Sequence, residues 1–190
     1  SYLIGITAGI FREADDLGDG ELIDRIKDSA KQKGTGRWAS IEALKQGVDI
    51  SMITSACTAR IMSNHLDERE KAWQLIHSPA VGLSPDKESF AAMVREALYT
   101  GKIIAYAQGF SLMQDASRLY GWNLDLGKIA SIFRAGCIIQ AVFLNDITHA
   151  FEAEPKPENL IFDGFFLSRI NEHQDSLRQA VSTAPMHLSR

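Results

Sequence analysis

A chain of 190 residues with 45% hydrophobic content is long enough to bury one sizeable core and too apolar for a disordered segment. Its net charge of −4, with both signs spread along the chain, excludes the basic footprint of a nucleic-acid binder. No apolar run approaches the roughly 20 residues needed to cross a bilayer, so neither nucleic acid nor a membrane is an expected partner.

The first residues lack a basic n-region and a cleavage pattern, and the two cysteines, Cys57 and Cys137, match no zinc or redox spacing. They are expected to be buried thiols in a cytoplasmic protein. Residue 1 is serine, and Tyr2–Phe11 is already apolar at helical intervals, so the chain is expected to begin inside a helix, as a fragment would, and that helix to end near Arg12. The acidic stretch Asp15–Gly20 could suggest calcium, but an EF-hand loop started at Asp15 would place Leu17 and Ile26 at its third and twelfth positions, where oxygen ligands are required. A solvated loop is expected instead. Leu22, Ile23 and Ile26 then share one face of a short amphipathic helix.

The helical pattern breaks at Lys31–Trp38, where Lys33 and Arg37 flank Gly34-Thr35-Gly36. Glycine tolerates positive φ and lets backbone N–H groups approach a ligand, so a Gly-Thr-Gly turn with two cations can form an anion-binding concavity. The alternative is that the glycines merely end one helix and begin the next, with the charges solvated. A short helix over Ser40–Gln46 stops at Gly47. Asp49 is the expected N-cap of a longer helix through about His77, with Ile53, Cys57, Ile61 and Trp73 in a buried stripe. Arg60 lies within a turn of Ala56, Cys57 and Ser63, side chains too small to screen it, so a bound anion or a salt bridge with Asp67 or another acid is expected.

Ser84-Pro85-Asp86 reads as a helix start, with Ser84 as cap, and the periodic pattern continues to Tyr120. Within this long helix Ala97, Gly101, Ala105 and Gly109 recur every four residues and leave a seam for another helix. Trp122–Asp125 reads as a turn, and a very apolar helix is expected from Leu126 to Ala153, ended by Pro155 and Pro157. Its section Ile132–Ile139 is apolar almost all round, as in a central helix or one shared with a partner subunit. A turn at Asn159–Gly164 precedes a last amphipathic helix, Phe165–Ala184, closed by Pro185. Strand alternation is almost absent, so residues 1–190 are expected to form one all-α, multi-helix domain with long central helices. His65, His77, His149 and His173 form no metal-ligand spacing, and no metal site is expected.

With Lys33-Gly34-Thr35-Gly36-Arg37-Trp38 and Ser55-Ala56-Cys57-Thr58-Ala59-Arg60 in view, the sequence resembles the 6-phosphogluconate dehydrogenases, the decarboxylating enzymes of the pentose phosphate pathway. The likeness continues through Ala97–Phe110, Phe133–Ile139 and Ala180–Ala184, nearly the whole chain. It implies that family's helical domain, which supplies part of the sugar-phosphate pocket and most of a homodimer interface. The resemblance also implies that Lys33, Thr35 and Arg60 contact the phosphate of 6-phosphogluconate, in keeping with what a dianion asks of a loop and a guanidinium.

The family's reaction oxidises the C3 hydroxyl by hydride transfer to NADP, loses CO2 and protonates the enol to give ribulose 5-phosphate. By the same resemblance its lysine base, glutamate acid and Rossmann domain lie upstream of Ser1, and no strand followed by G-x-G-x-x-G occurs in this sequence. No catalytic or cofactor-binding residue is therefore assigned. Gly5 and Ala135 stand where glutamate and glycine are expected, and Gln140 where arginine is usual; the phosphate motif is intact, while the dimer contacts are affected. The tail Pro185–Arg190 departs from the family pattern, and no role is carried over to His187 or Arg190. The enzymatic reading is the substrate-side part of an oxidative decarboxylase; the alternative is a catalytically silent helical domain that dimerises or holds a sugar phosphate.

Overall fold

The computed structural model describes residues 1–31, 33–76 and 86–187, with side chains up to residue 183. Among these residues the chain forms eight α-helices, two short 3-10 turns and no strand, so the all-α expectation holds. The helices are α1 (Tyr2–Ile10), α2 (Thr35–Gln46), α3 (Ser51–Ser63), α4 (Leu66–Leu75), α5 (Lys87–Tyr120), α6 (Leu126–Ile132), α7 (Leu144–Glu152) and α8 (Gly164–His187).

The organising element is α5, 34 residues long, or roughly 50 Å at about 1.5 Å per residue. Asp86 starts it, its carboxylate accepting from the N–H groups of Glu88 and Ser89 at 3.0 Å. The Ser84 cap and the Pro85 first turn expected from the sequence lie outside the described residues. Gly121, at φ 68°, closes the helix in the left-handed region, where glycine carries no Cβ penalty. Ile103, Ala107 and Phe110 are buried along α5, spaced as one helical face requires.

That face meets the core. Phe143 stands edge-on to Tyr99, Tyr106 and Phe166, and Phe110 stacks on Phe151 at 5.3 Å. Leu126, Ala130, Leu144, Ile147 and Leu160 complete the cluster. Helix α8 lies along α5, joined by the Ser176 hydroxyl, which donates to Glu96 at 2.6 Å. The other side of α5 carries α3. A Cβ at Gly101 would come within 3.3 Å of the Met52 methyl, and one at Gly109 within 3.9 Å of Ile53, so two positions of the small-residue seam are where α3 sits. Gln108 fixes this crossing: its amide oxygen accepts from the Met52 N–H at 3.0 Å and its nitrogen donates to Asp49 at 2.9 Å. At the far end the Tyr120 hydroxyl donates to Glu42 of α2 at 2.6 Å. That hydrogen bond is the main reason the Glu42 carboxyl is held below its usual range and the Tyr120 phenol above its own.

Several sequence expectations fail for local reasons. The loop at 15–20 is not wholly solvated: Asp15 is buried, accepting from Arg25 Nε at 2.7 Å and from the Leu17 N–H at 3.0 Å. The helix expected from Glu21 to the Lys31–Trp38 loop shrinks to the 3-10 turn Leu22–Arg25. Helix α2 begins at Thr35, not Ser40. The single helix expected over 49–77 breaks at Asn64–His65 into α3 and α4. The expected buried stripe is not found: Ile53 and Cys57 are only half-buried, and Ile61 and Trp73 are exposed. Cys137, also expected to be buried, is half-buried too; the expected end at His77 is outside the described residues. Asp49 is not the N-cap but stands one residue before it, Ile50, accepting from the Ser51 N–H at 2.9 Å.

The continuous helix expected over 126–153 is likewise two, α6 and α7, with Gly136 at φ 69° in the irregular stretch between them. Ile132 and Val142, 69% and 86% exposed, are therefore surface residues. Helix α8 continues past Ala184, so Pro185 lies within its last residues and does not close it.

Helix α2 can rest on α3 because residue 36 has no side chain. A Cβ there would stand 2.3 Å from the Cys57 sulfur, well inside contact distance. The G36A variant is expected to lose about 1–3 kcal/mol of stability, the usual cost of forcing atoms into a packed contact, and C57A in the same chain to recover most of it. Thermal unfolding of the wild type, both single variants and the pair checks this; additive losses would show that the two residues do not meet.

Candidate anion site at the start of helix α2

The glycine-bearing stretch resolves into a short approach and a helix N-terminus. Gly34, at φ 101°, is the residue that turns the chain into α2, a conformation open to glycine and costly for other residues. The Trp38 indole lies over it, 3.4 Å from where a Cβ would be. Thr35, Gly36 and Arg37 therefore form the first turn of α2, and the expected Gly-Thr-Gly turn is half loop and half helix. No side chain among the described residues caps this end, so the leading N–H groups keep their capacity to bind an anion, and the helix dipole favours one.

Arg60 comes to this loop from the last turn of α3. Its Nη2 donates to the Lys31 carbonyl at 2.5 Å, two residues before Lys33 and four before Thr35. Three of its surroundings differ from expectation. The side chain is exposed, its partner is a backbone carbonyl, and no carboxylate among the described residues lies within ion-pair distance of it, Asp67 included. Small neighbours left the guanidinium open to solvent; they did not bury it. A planar guanidinium has several N–H donors, so the bond to Lys31 leaves others available. Lys33 and Thr35 are exposed as well. The structure thus brings Arg60 onto the segment that carries Lys33 and Thr35, and leaves all three side chains open to water.

Sequence reasoning missed the residues that hold this loop. Ser63 and Asn64, at the corner between α3 and α4, hydrogen-bond to Ala30 and Ser29. The Arg69 guanidinium pairs with Asp28 at 2.6 Å. A serine and an asparagine in succession, both poor in helix interiors because they compete for backbone partners, were the available sign of a break.

A separate cavity of about 580 Å³ lies between α1, the first half of α5 and residues 141–143, and is lined mostly by apolar side chains such as Ile4, Val94, Leu98 and Phe143. Lys102 reaches into it, its ammonium 5.9 Å from the Phe143 ring centre and its pKa lowered by burial. Nearby the Tyr106 hydroxyl donates to the Ile139 carbonyl, and burial, with a smaller contribution from Cys137, pushes its pKa up to about 12. This cavity is apolar and suits packing more than phosphate.

Comparison with known proteins agrees with the all-α fold. The chain is 45% identical over 184 residues to the decarboxylating 6-phosphogluconate dehydrogenase of Lactococcus lactis subsp. lactis (strain IL1403), an alignment covering 97% of this chain and 39% of that protein. The mouse protein of the same name is 46% identical, with 96% and 38% covered. The NADP(+)-dependent decarboxylating enzyme of Bacillus subtilis (strain 168) is 45% identical, with 97% and 39% covered. Among solved structures, Plasmodium falciparum 6-phosphogluconate dehydrogenase, studied in its apo form, with its cofactor NADP+ and with its substrate 6-phosphogluconate, superposes with a TM-score of 0.92 at 38% identity. That match covers 100% of this chain and 41% of that one. The chain therefore spans well under half the length of these relatives. The family model for the 6-phosphogluconate dehydrogenase C-terminal domain matches residues 1–188, and the chain belongs to that family.

Proposed function

We propose that this chain is the substrate-side part of an NADP-dependent oxidative decarboxylase that converts 6-phosphogluconate to ribulose 5-phosphate and CO2, with Lys33, Thr35 and Arg60 on the substrate's phosphate. The observation that carries the reading is the Arg60 guanidinium resting on the Lys31 carbonyl, beside an uncapped helix N-terminus. An ammonium, a hydroxyl, a guanidinium and helix N–H groups are the donors that a dianionic phosphate ester recruits. The guanidinium supplies planar, directional bonds; the Lys33 ammonium supplies a mobile point charge.

The described residues do not fit NADP. They contain no strand and hence no strand-to-helix glycine turn of the kind that receives a pyrophosphate, so no step through the dinucleotide is derived from this chain. What its own residues would contribute is hold and orientation: with the phosphate fixed at one end, the sugar chain of the substrate is limited to a narrow range of positions.

A homodimer is also proposed, on the strength of exposed apolar side chains that a monomer would leave in water. Tyr2, Leu3, Ile4 and Ile6 on α1, and Ile132, Ile138, Ile139 and Val142 around the α6–α7 connection, are all exposed. Apolar groups in such number mark surfaces that bury against protein. Among the described residues no helix is long and apolar enough to cross a membrane.

Arg60→Ala is expected to weaken 6-phosphogluconate binding by about 1.5–3 kcal/mol, the usual worth of a hydrogen bond to a charged group; calorimetric titration checks it, and an unchanged affinity would remove Arg60 from the site. The chain on its own is expected to reduce no NADP when mixed with 6-phosphogluconate. Absorbance at the nicotinamide band reads this, and measurable turnover would show that these residues contain the missing base and cofactor site after all.

A further inference from the structure

The stretch Asp28–Lys31 leads into the candidate anion site without helix or ladder to satisfy its backbone. Polar groups of an irregular segment must find other partners, and these are supplied by the corner between α3 and α4. The Ala30 N–H donates to Ser63 Oγ at 3.0 Å, and the Ala30 carbonyl accepts from Asn64 Nδ2 at 3.1 Å. The Ser29 hydroxyl donates to Asn64 Oδ1 at 2.8 Å. The same Asn64 nitrogen donates to the Arg60 carbonyl at 2.7 Å, one turn back along α3.

These bonds close a ring. It runs from the Asn64 carboxamide to the Ala30 carbonyl, along the chain to the Lys31 carbonyl, across to Arg60 Nη2, down that side chain to its own backbone carbonyl, and back to Asn64. Opening the ring at Asn64 leaves Ser63 as the remaining bridge, its hydroxyl accepting from the Ala30 N–H and donating to the Arg60 carbonyl at 2.8 Å, so the loop and the guanidinium are held less tightly relative to each other. Because Asn64 is exposed, water can replace the lost partners, so the expected cost falls on geometry more than on folding. Anion recognition by several separate donors is sensitive to such drift.

We propose that Asn64 is a positioning residue for the anion site: by tying Ala30 to the carbonyl of Arg60 it sets the separation between the Lys33–Thr35 segment and the Arg60 guanidinium. The inference rests on the anion-binding reading above. Asparagine suits the task because one planar group carries both a donor that reaches two carbonyls and an acceptor for Ser29. An aspartate of the same shape would keep the acceptor and turn the donor into an oxygen facing two other oxygens.

The test is calorimetric titration of the chain with 6-phosphogluconate, with thermal unfolding of each variant measured in parallel. Asn64→Ala and Asn64→Asp are expected to weaken binding roughly tenfold, about the worth of a hydrogen bond in affinity, and Ser29→Ala by less. Asn159→Ala is the control: Asn159 accepts from the Ile161 N–H and donates to Ser111, so its loss lowers stability without touching the ring, and affinity is expected to stay within twofold. If N64A does not fold, N64D and S29A carry the comparison. Wild type that fails to bind 6-phosphogluconate would overturn the anion site and this inference with it. Weakening by R60A while N64A, N64D and S29A bind like wild type would overturn the positioning role alone. So would N159A losing affinity in step with its unfolding temperature, since the effect would then be one of stability.

Discussion

The contact on which the rest of this domain's site depends is the approach of α2 to α3 at Gly36, with the bond from Arg60 to the Lys31 carbonyl beside it. Without a Cβ at residue 36, the Cys57 sulfur occupies space that any side chain would claim. That closeness lets the last turn of α3 lie alongside the segment entering α2, within reach of an arginine side chain. The layer formed by α2 and α3 is in turn fixed to α5 by Gln108 on Asp49 and Met52 and by Tyr120 on Glu42. A loop that would otherwise wander is thus referred back, through a few polar bonds and one glycine, to the longest helix in the molecule.

The core and the site are built by different physics. Around Phe143, Phe110 and Ile103 the chain packs aromatic and aliphatic groups out of water, where burial of apolar area is the dominant gain. Around Lys33, Thr35 and Arg60 nearly everything is exposed, and order comes from hydrogen bonds that water could replace. Such a region is held in place less firmly than the core, as binding segments generally are. It also keeps cationic groups hydrated until a ligand with enough charge displaces the water.

The long helices were readable in the sequence because their signals are local. In α5 the apolar period and the Ser84-Pro85-Asp86 start marked the element, although the capping carboxylate belongs to Asp86 and the sequence pointed to Ser84; in α8 the amphipathic pattern was enough to find the element, though not its end. Misreadings arose where a glycine or a polar pair could be taken two ways. Gly36 looked like a helix breaker and is a helix residue kept small by a neighbour; Gly136 looked tolerable inside an apolar helix and turns the chain at positive φ. Ser63-Asn64 ends α3 because its side chains have partners some 33 to 35 residues earlier in the chain, which no periodicity can reveal. At the candidate site the residue types were legible and the arrangement was not. Lysine, threonine and arginine announce an anion, but only the fold shows that Arg60 reaches a carbonyl 29 residues away in place of the acid expected for it.

The most direct test of a shared anion site is a nitrogen-edited spectrum of the isotopically labelled chain titrated with 6-phosphogluconate. The account predicts that shifts concentrate on the amides at the start of α2, from Gly34 to Trp38, and on the side-chain N–H of Arg60, with a single saturation curve for all of them. Shifts centred instead on the apolar cavity beside α1 and α5, with the α2 amides and Arg60 unmoved, would contradict it.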